Sequence, residues 1–270
     1  MTDTFAVRHA LRPEDPIDMV ALRRYRLRRV RDEMARRSID ACVLVDPVSI
    51  RYACGARNMQ VFHLRNPARS LVIPAEGPVV LFEFTGCMHL AEGLETVDEI
   101  RPSITASYVA AGDGVGDAER AWARQVGEEI RRHCGPAPTV GVERVNAGAA
   151  AALAESGFHL VDAQAPLERA RSVKSAEEVA CIRRSLAATA VGMQAHGCGM
   201  TGEYPYLYHE ADFDAFGYDG ALTENMTICV ESYIGEPVGG QGVKLEQQVL
   251  LTAAGPELLS TFPYEETLAS

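Results

Sequence analysis

Segments with the 3.6-residue period of a helix alternate with short, β-branched apolar runs along the first 165 residues. Strands that alternate with helices pack as a sheet with helices laid on its faces, so an α/β domain is predicted from the N-terminus to about Pro166. Residues 19–36 set Met19, Leu22, Leu27, Val30 and Met34 near one face with arginines between, the pattern of an amphipathic helix. The run from Asp40 to Asp46 is too short and too β-branched for a helix and reads as a buried strand. Pro47 restarts the chain, and Val48 to Cys54 suits a short helix closed by Gly55. Ser70–Ile73 and Val79–Phe84 flank the turn-forming residues Pro74 to Gly77, which predicts a hairpin. A helix over 117–133 ended by Gly135, a strand over 139–143, a helix over 147–156 and a strand over 158–162 complete the series.

Composition narrows the partners. A net charge of −11 argues against a phosphate backbone, and the basic stretch from Arg23 to Arg37 reads as the polar face of a helix. No apolar run approaches the roughly 18 residues that span a bilayer, so no membrane partner is expected. The first 18 residues carry charges and no apolar h-region, and a cytoplasmic location is the expectation. Seven widely spaced cysteines without a C-x-x-C pair argue against a disulfide framework or a zinc cluster.

The second part opens at Arg171. Ser175 and Glu178 have the spacing of a capping box, and a helix is predicted from Ala176 to about Ala195 with Val179, Ile182, Leu186 and Val191 inward. It stops at His196-Gly-Cys-Gly-Met200. Thr227 to Ile234 alternates along a strand with Cys229, Glu231 and Tyr233 on one face. Past a glycine-rich connection, Val243, Leu245, Val249 and Leu251 share one face of a second strand, and Lys244, Glu246 and Gln248 the other. Antiparallel pairing brings Glu231 and Glu246 to one surface. Two carboxylates about 4 Å apart repel by about 4 kcal/mol at an effective dielectric near 20, so a proton, a basic side chain or a cation has to relieve them. From the residues alone, two readings stand: each glutamate lies on the solvent face of an amphipathic hairpin, or His196, Glu231 and Glu246 form an N/O ligand set for a divalent metal.

The order His-Gly-x-Gly, then Val-Glu-x, then Gly-Val-Lys-Leu-Glu-x-Gln-Val-Leu-Leu-Thr resembles the C-terminal half of the pita-bread metallohydrolases: creatinase, aminopeptidase P and methionyl aminopeptidase. The N-terminal half is similar to the accessory domain of creatinases and aminopeptidase P, and Arg169 to Arg183 resembles the family's domain junction. The resemblance implies a creatinase-like N-terminal α/β domain over 1–166 and an incomplete pita-bread (α+β) domain over 167–270. It implies that His196, Glu231 and Glu246, separated by 35 and 15 residues, are metal ligands. The cofactor implied is a divalent ion, Mn, Fe, Co or Zn, and the assembly implied is a homodimer.

Two departures qualify what is carried over. The family places two aspartate ligands between the junction helix and the histidine, but here His196 directly follows the helix. Asp113, Asp117 and Asp162 belong to the other domain, so an internal segment is missing, with its joint near 193–196. Seven residues after His196, where aminopeptidase P carries a proton-transferring histidine, stands Glu203. An acid there is similar to the dimethylsulfoniopropionate lyase branch and makes Glu203 a candidate acid/base, with His209 a weaker substitute shuttle. Three functions follow: an Xaa-Pro aminopeptidase-like hydrolase impaired by the lost aspartates, a lyase or other small-molecule enzyme on the same scaffold, or a non-catalytic dimerising remnant. The expected substrate is a peptide or small molecule.

Overall fold

The computed structural model of the protein describes residues 17–182, 214–215, 218, 220–235 and 242–259. They fall into two compact units, Val20–Arg171 and a second that includes Ser172 onward.

The first unit is built on a six-stranded sheet in the order β4-β3-β2-β1-β5-β6. Its strands are β1 (Ala41–Leu44), β2 (Ser70–Pro74), β3 (Val80–Glu83), β4 (Glu99–Pro102), β5 (Thr139–Glu143) and β6 (His159–Asp162). Strand β1 lies antiparallel to β2 and parallel to β5, which is parallel to β6. Strand β2 is antiparallel to β3, which runs parallel to β4. The central β1 shows why its sequence is an unbroken apolar run. Cys42 and Leu44 enter one core and Ala41, Val43 and Val45 the other, so both faces are covered.

Helices α1 (Met19–Ala35) and α2 (Pro47–Cys54) supply Val30, Met34, Ile50 and Ala53 to the first core. Helix α3 (Gln60–Arg65) follows, and after it α4 (Tyr108–Ala111) and α5 (Val115–Cys134). Trp122, Val126 and Ile130 of α5 fill the second core with Leu153 of α6 (Ala147–Ala154). Helix α7 (Gln164–Ser172) returns to the first core through Leu167 and Ala170. The predicted Gly55 stop is in place, and Asp46, read only as the end of a strand run, caps the other end of the helix. Asp46 Oδ1 accepts from the amides of Val48 and Ser49 at 2.8 and 3.2 Å, Pro47 occupies the first turn, and Gly55 ends α2 at φ 84°.

Several elements were not read from the sequence. Strand β4 is a charged edge strand ending in Pro102, with no apolar run to announce it. Pro166, the expected boundary, sits in the first turn of α7, where a missing N–H costs nothing. Helix α3 buries His63 and exposes Phe62 and Leu64, the reverse of the pattern that marks a core-facing helix.

In the second unit, residues 176–182 are helical, and both arms of the capping box form. The Ser175 amide donates to Glu178 Oε2 at 3.0 Å, and the Glu178 amide to Ser175 Oγ at 3.2 Å. The rest of the predicted helix lies outside the described residues. A three-stranded antiparallel sheet follows, β7 (Thr227–Gly235), β8 (Gly242–Thr252) and β9 (Gly255–Leu258). Val179 and Ile182 pack with Leu250 and Leu259. Among the described residues no helix is long and apolar enough to cross a membrane.

Candidate functional site

The register of β7 on β8 is the central geometric fact of the second unit. Glu231 pairs directly with Glu246, flanked by Cys229 with Gln248 and Tyr233 with Lys244. Direct partners of an antiparallel ladder lie on the same face, so both glutamate positions belong to one surface of the hairpin. Two like charges at such positions destabilise the ladder unless a counter-charge joins them. Nor is that face wholly solvent-facing: Gln248 and Leu250, two and four residues on from Glu246, are buried.

The hairpin base is tied to the start of the unit. The Lys174 amide donates to the Asn225 carbonyl at 3.0 Å, the Asn225 amide to Leu251 at 2.8 Å, and Val173 bridges Met226. Asn225 makes this turn at φ 67°, a left-handed conformation that asparagine tolerates better than most residues. The Thr252 hydroxyl donates to the Gly255 carbonyl at 2.6 Å and closes the β8–β9 turn. The capped helix and the glutamate hairpin are thus held together within one unit. His196, Glu203 and His209 lie outside the described residues. Among the described residues, no group of three His, Cys, Asp or Glu side chains is placed to hold a metal.

Two buried polar clusters in the first unit were not anticipated. At the carboxyl ends of β1 and β5, Glu143 is 6% exposed and accepts from Ser49 Oγ at 2.8 Å through Oε1, while Oε2 has no hydrogen-bond partner. Burial, opposed by the Ser49 hydrogen bond and reinforced by Asp46, pushes the Glu143 carboxyl up to about 7; Arg144 and Arg171 pull weakly the other way. Arg144 follows at φ 52° and sets its guanidinium 3.2 Å from Asp46. The second cluster lies at the β2–β3 ends. Arg69 and Glu83 are 1% and 0% exposed, with Nη2 2.7 Å from Oε2, and Asn58 Nδ2 donates to Glu83 Oε1 at 3.0 Å. The sequence did carry a faint signal for this pair. Ser70 pairs with Phe82, so the next residues along the hairpin, Arg69 just before the first apolar run and Glu83 within the second, stand opposite one another.

The Creatinase/Prolidase N-terminal domain family matches residues 26–173, more than half of the 270-residue chain. The chain belongs to the creatinase/prolidase family. Its curated relatives include a dimethylsulfoniopropionate lyase of Roseobacter denitrificans, 32% identical over 179 residues that cover 66% of this chain and 40% of the relative. Another, from Roseovarius nubinhibens, is 27% identical over 166 residues, covering 62% of this chain and 37% of the relative. The chain therefore spans about two fifths of the length of the curated family members it matches. Among solved structures, a prolidase from Thermococcus sibiricus matches with a TM-score of 0.61 at 8% identity, over 90% of this chain and 98% of that one. A dipeptidase from Pyrococcus horikoshii OT3 matches with a TM-score of 0.57 at 12% identity, over 89% and 99%. These two likenesses show a shared fold, the mixed α/β architecture of the creatinase/prolidase family.

Proposed function

We propose that this family member carries the N-terminal domain and part of the metal centre of an enzyme acting on a small sulfonium zwitterion, with little or no turnover in these 270 residues. The metal part rests on the register that makes Glu231 and Glu246 direct partners on one face. Hard carboxylate oxygens joined by an imidazole suit Mn, Fe, Co or Zn, and His196, Glu231 and Glu246 are the residues that would hold such an ion. When bound there, such an ion would neutralise the paired carboxylates and supply Lewis-acid polarisation of a substrate oxygen. The choice of a sulfonium substrate over a peptide rests on the 32% identity to the Roseobacter lyase and on an acid at position 203.

For such a substrate Glu203 serves as the base. The carboxylate takes the proton from the carbon next to the substrate's own carboxylate, and that C–H electron pair becomes the new C=C bond. The C–S bond breaks with its pair going to sulfur, leaving dimethyl sulfide, acrylate and a protonated Glu203. Low turnover follows from the two aspartate positions that the sequence lacks between the junction helix and His196. An Xaa-Pro peptidase on the same scaffold is the second reading, resting on the order and spacing of the three ligand types.

The test is to strip the chain with chelator, reload it with Mn, Fe, Co or Zn, and assay dimethyl sulfide release beside cleavage of an Xaa-Pro peptide. The expected result is trace, metal-dependent dimethyl sulfide release, abolished by Glu246→Ala, with no peptide cleavage. Full activity in chelator, or peptide cleavage without dimethyl sulfide, contradicts the proposal.

A further inference from the structure

Helix α3 is built inside out. Met59, Phe62 and Leu64 are exposed, whereas Asn58, His63 and Asn66 are buried along with Arg69 and Glu83. A helix that served only to cover the sheet would turn Phe62 and Leu64 inward and His63 to water. What lies beneath is a set of polar atoms with unspent hydrogen-bonding capacity. His63 is 3% exposed, and neither ring nitrogen makes an aligned hydrogen bond, although the ring lies against the Asn66 backbone. Nor do Arg69 Nε, Nη1 and Nη2 or Glu83 Oε2; the Arg69–Glu83 approach at 2.7 Å is an ion pair without hydrogen-bond alignment. Glu83 Oε1 is already occupied by Asn58 Nδ2 and the Phe84 amide, at 3.0 and 2.8 Å.

The unspent capacity is lopsided. The guanidinium offers five N–H groups and a neutral imidazole one, against a single carboxylate oxygen and a single imidazole nitrogen able to accept. Water brings as many donors as acceptors and leaves that surplus in place. An anion brings acceptors alone. We propose that the Asn58–His63–Arg69–Glu83 cluster beneath α3 binds a small monovalent anion, held by the Arg69 guanidinium and the His63 ring.

Charge balance adds a second property. Arg69 and Glu83 cancel one another, so an added anion leaves the buried cluster one charge negative unless His63 takes up a proton. Burial first, and then the Arg69 charge, hold the His63 imidazole below its ordinary value, with Glu83 and the Asn66 backbone opposing them. The other titratable group facing the pair is the Cys54 thiol, pushed up by burial to about 11 and therefore neutral. Arg69, Glu83 and the Asn66 backbone are thus the groups that set the His63 proton, and the neutral Cys54 thiol adds no charge. A bound anion offsets Arg69 and raises the proton affinity of the ring. Anion binding therefore draws in a proton and tightens as the pH falls.

The experiment is 15N NMR of the full chain, titrated with chloride or with formate at constant ionic strength, using bulky isethionate as the balancing salt. The Arg69 Nε and His63 ring signals are assigned by their loss in Arg69→Lys and His63→Gln. The proposal expects saturable shifts of both signals, with affinity at pH 6 several-fold above that at pH 8. Saturation by formate alone makes the ligand a carboxylate, and by chloride alone a halide; either result supports the site. Shifts that are absent or linear in salt show that the cluster holds water only, and overturn the proposal. His63→Gln keeps an amide donor, and it is expected to bind the anion with no pH dependence; persistence of that dependence also overturns the proposal. Neither outcome involves the β7–β8 hairpin, so this site stands or falls apart from the metal reading.

Discussion

At the scale of single residues, the first unit is governed by a few buried charges. Glu143 keeps its proton up to about pH 7 in the folded chain, against an ordinary value of 4.5. Between those values the folded state binds more protons than the unfolded one, so stability falls as the pH rises from about 4.5 to about 7 and then levels off. That interval corresponds to roughly 3 kcal/mol. Glu143→Gln retains an acceptor for Ser49 and carries no charge to desolvate. It is expected to remove most of that pH dependence and to exceed the parent at pH 8, as read by urea unfolding at pH 5 and pH 8. An unchanged slope contradicts this account. The Arg69–Glu83 pair makes a second case. Arg69→Met leaves a buried carboxylate alone and is expected to cost about 3–5 kcal/mol, whereas Arg69→Met with Glu83→Met recovers much of it. A double-mutant cycle by denaturant unfolding measures the recovery; a double variant no more stable than Arg69→Met contradicts it.

At the scale of elements, caps and registers were legible and inward-facing polarity was not. Pro47 and Gly55 bracket α2 as the sequence predicts, because capping chemistry is local, and Asp46 adds the N-cap. The alternation in β7 and β8 put Glu231 and Glu246 on matched faces, and the pairing makes them direct partners. By contrast α3 defeats pattern reading, since its polar side is the buried one, and Glu143 looks like an ordinary strand-end acid until Ser49 and the covering helices are in place. Gly55 provides an element-level test. A Cβ there would overlap Arg23 Cδ, with the Arg23 guanidinium held by Glu95 at 2.8 Å through Nε and through Nη2, and φ is 84°. Gly55→Ala is expected to cost at least the 1–2 kcal/mol of a left-handed alanine, about 5 °C or more in Tm by calorimetry. A neutral result would mean that the α2 end relaxes freely.

At the scale of the whole molecule, the two halves differ in how much of a core they own. Both core layers of the six-stranded sheet lie within Val20–Arg171, so residues 17–173 expressed alone are expected to unfold in one cooperative transition. A broad, non-cooperative melt contradicts that independence. In the described part of the second unit the core cluster is three buried apolar side chains, Val179, Leu250 and Leu259, with Ile182 packed against them. The family was legible first in the order of the C-terminal motif, and the family match then falls on residues 26–173, whereas the proposed chemistry rests on a histidine and two glutamates whose aspartate partners the sequence does not supply. The proposal that the β7–β8 hairpin supplies half of a metal centre is tested by calorimetric titration of Mn or Zn into the parent and Glu246→Gln. Weak, saturable binding to the parent is expected, loosened at least tenfold in Glu246→Gln, with the metal-free variant melting higher because two paired charges have become one. Binding that is absent, or equal in the two proteins, contradicts it.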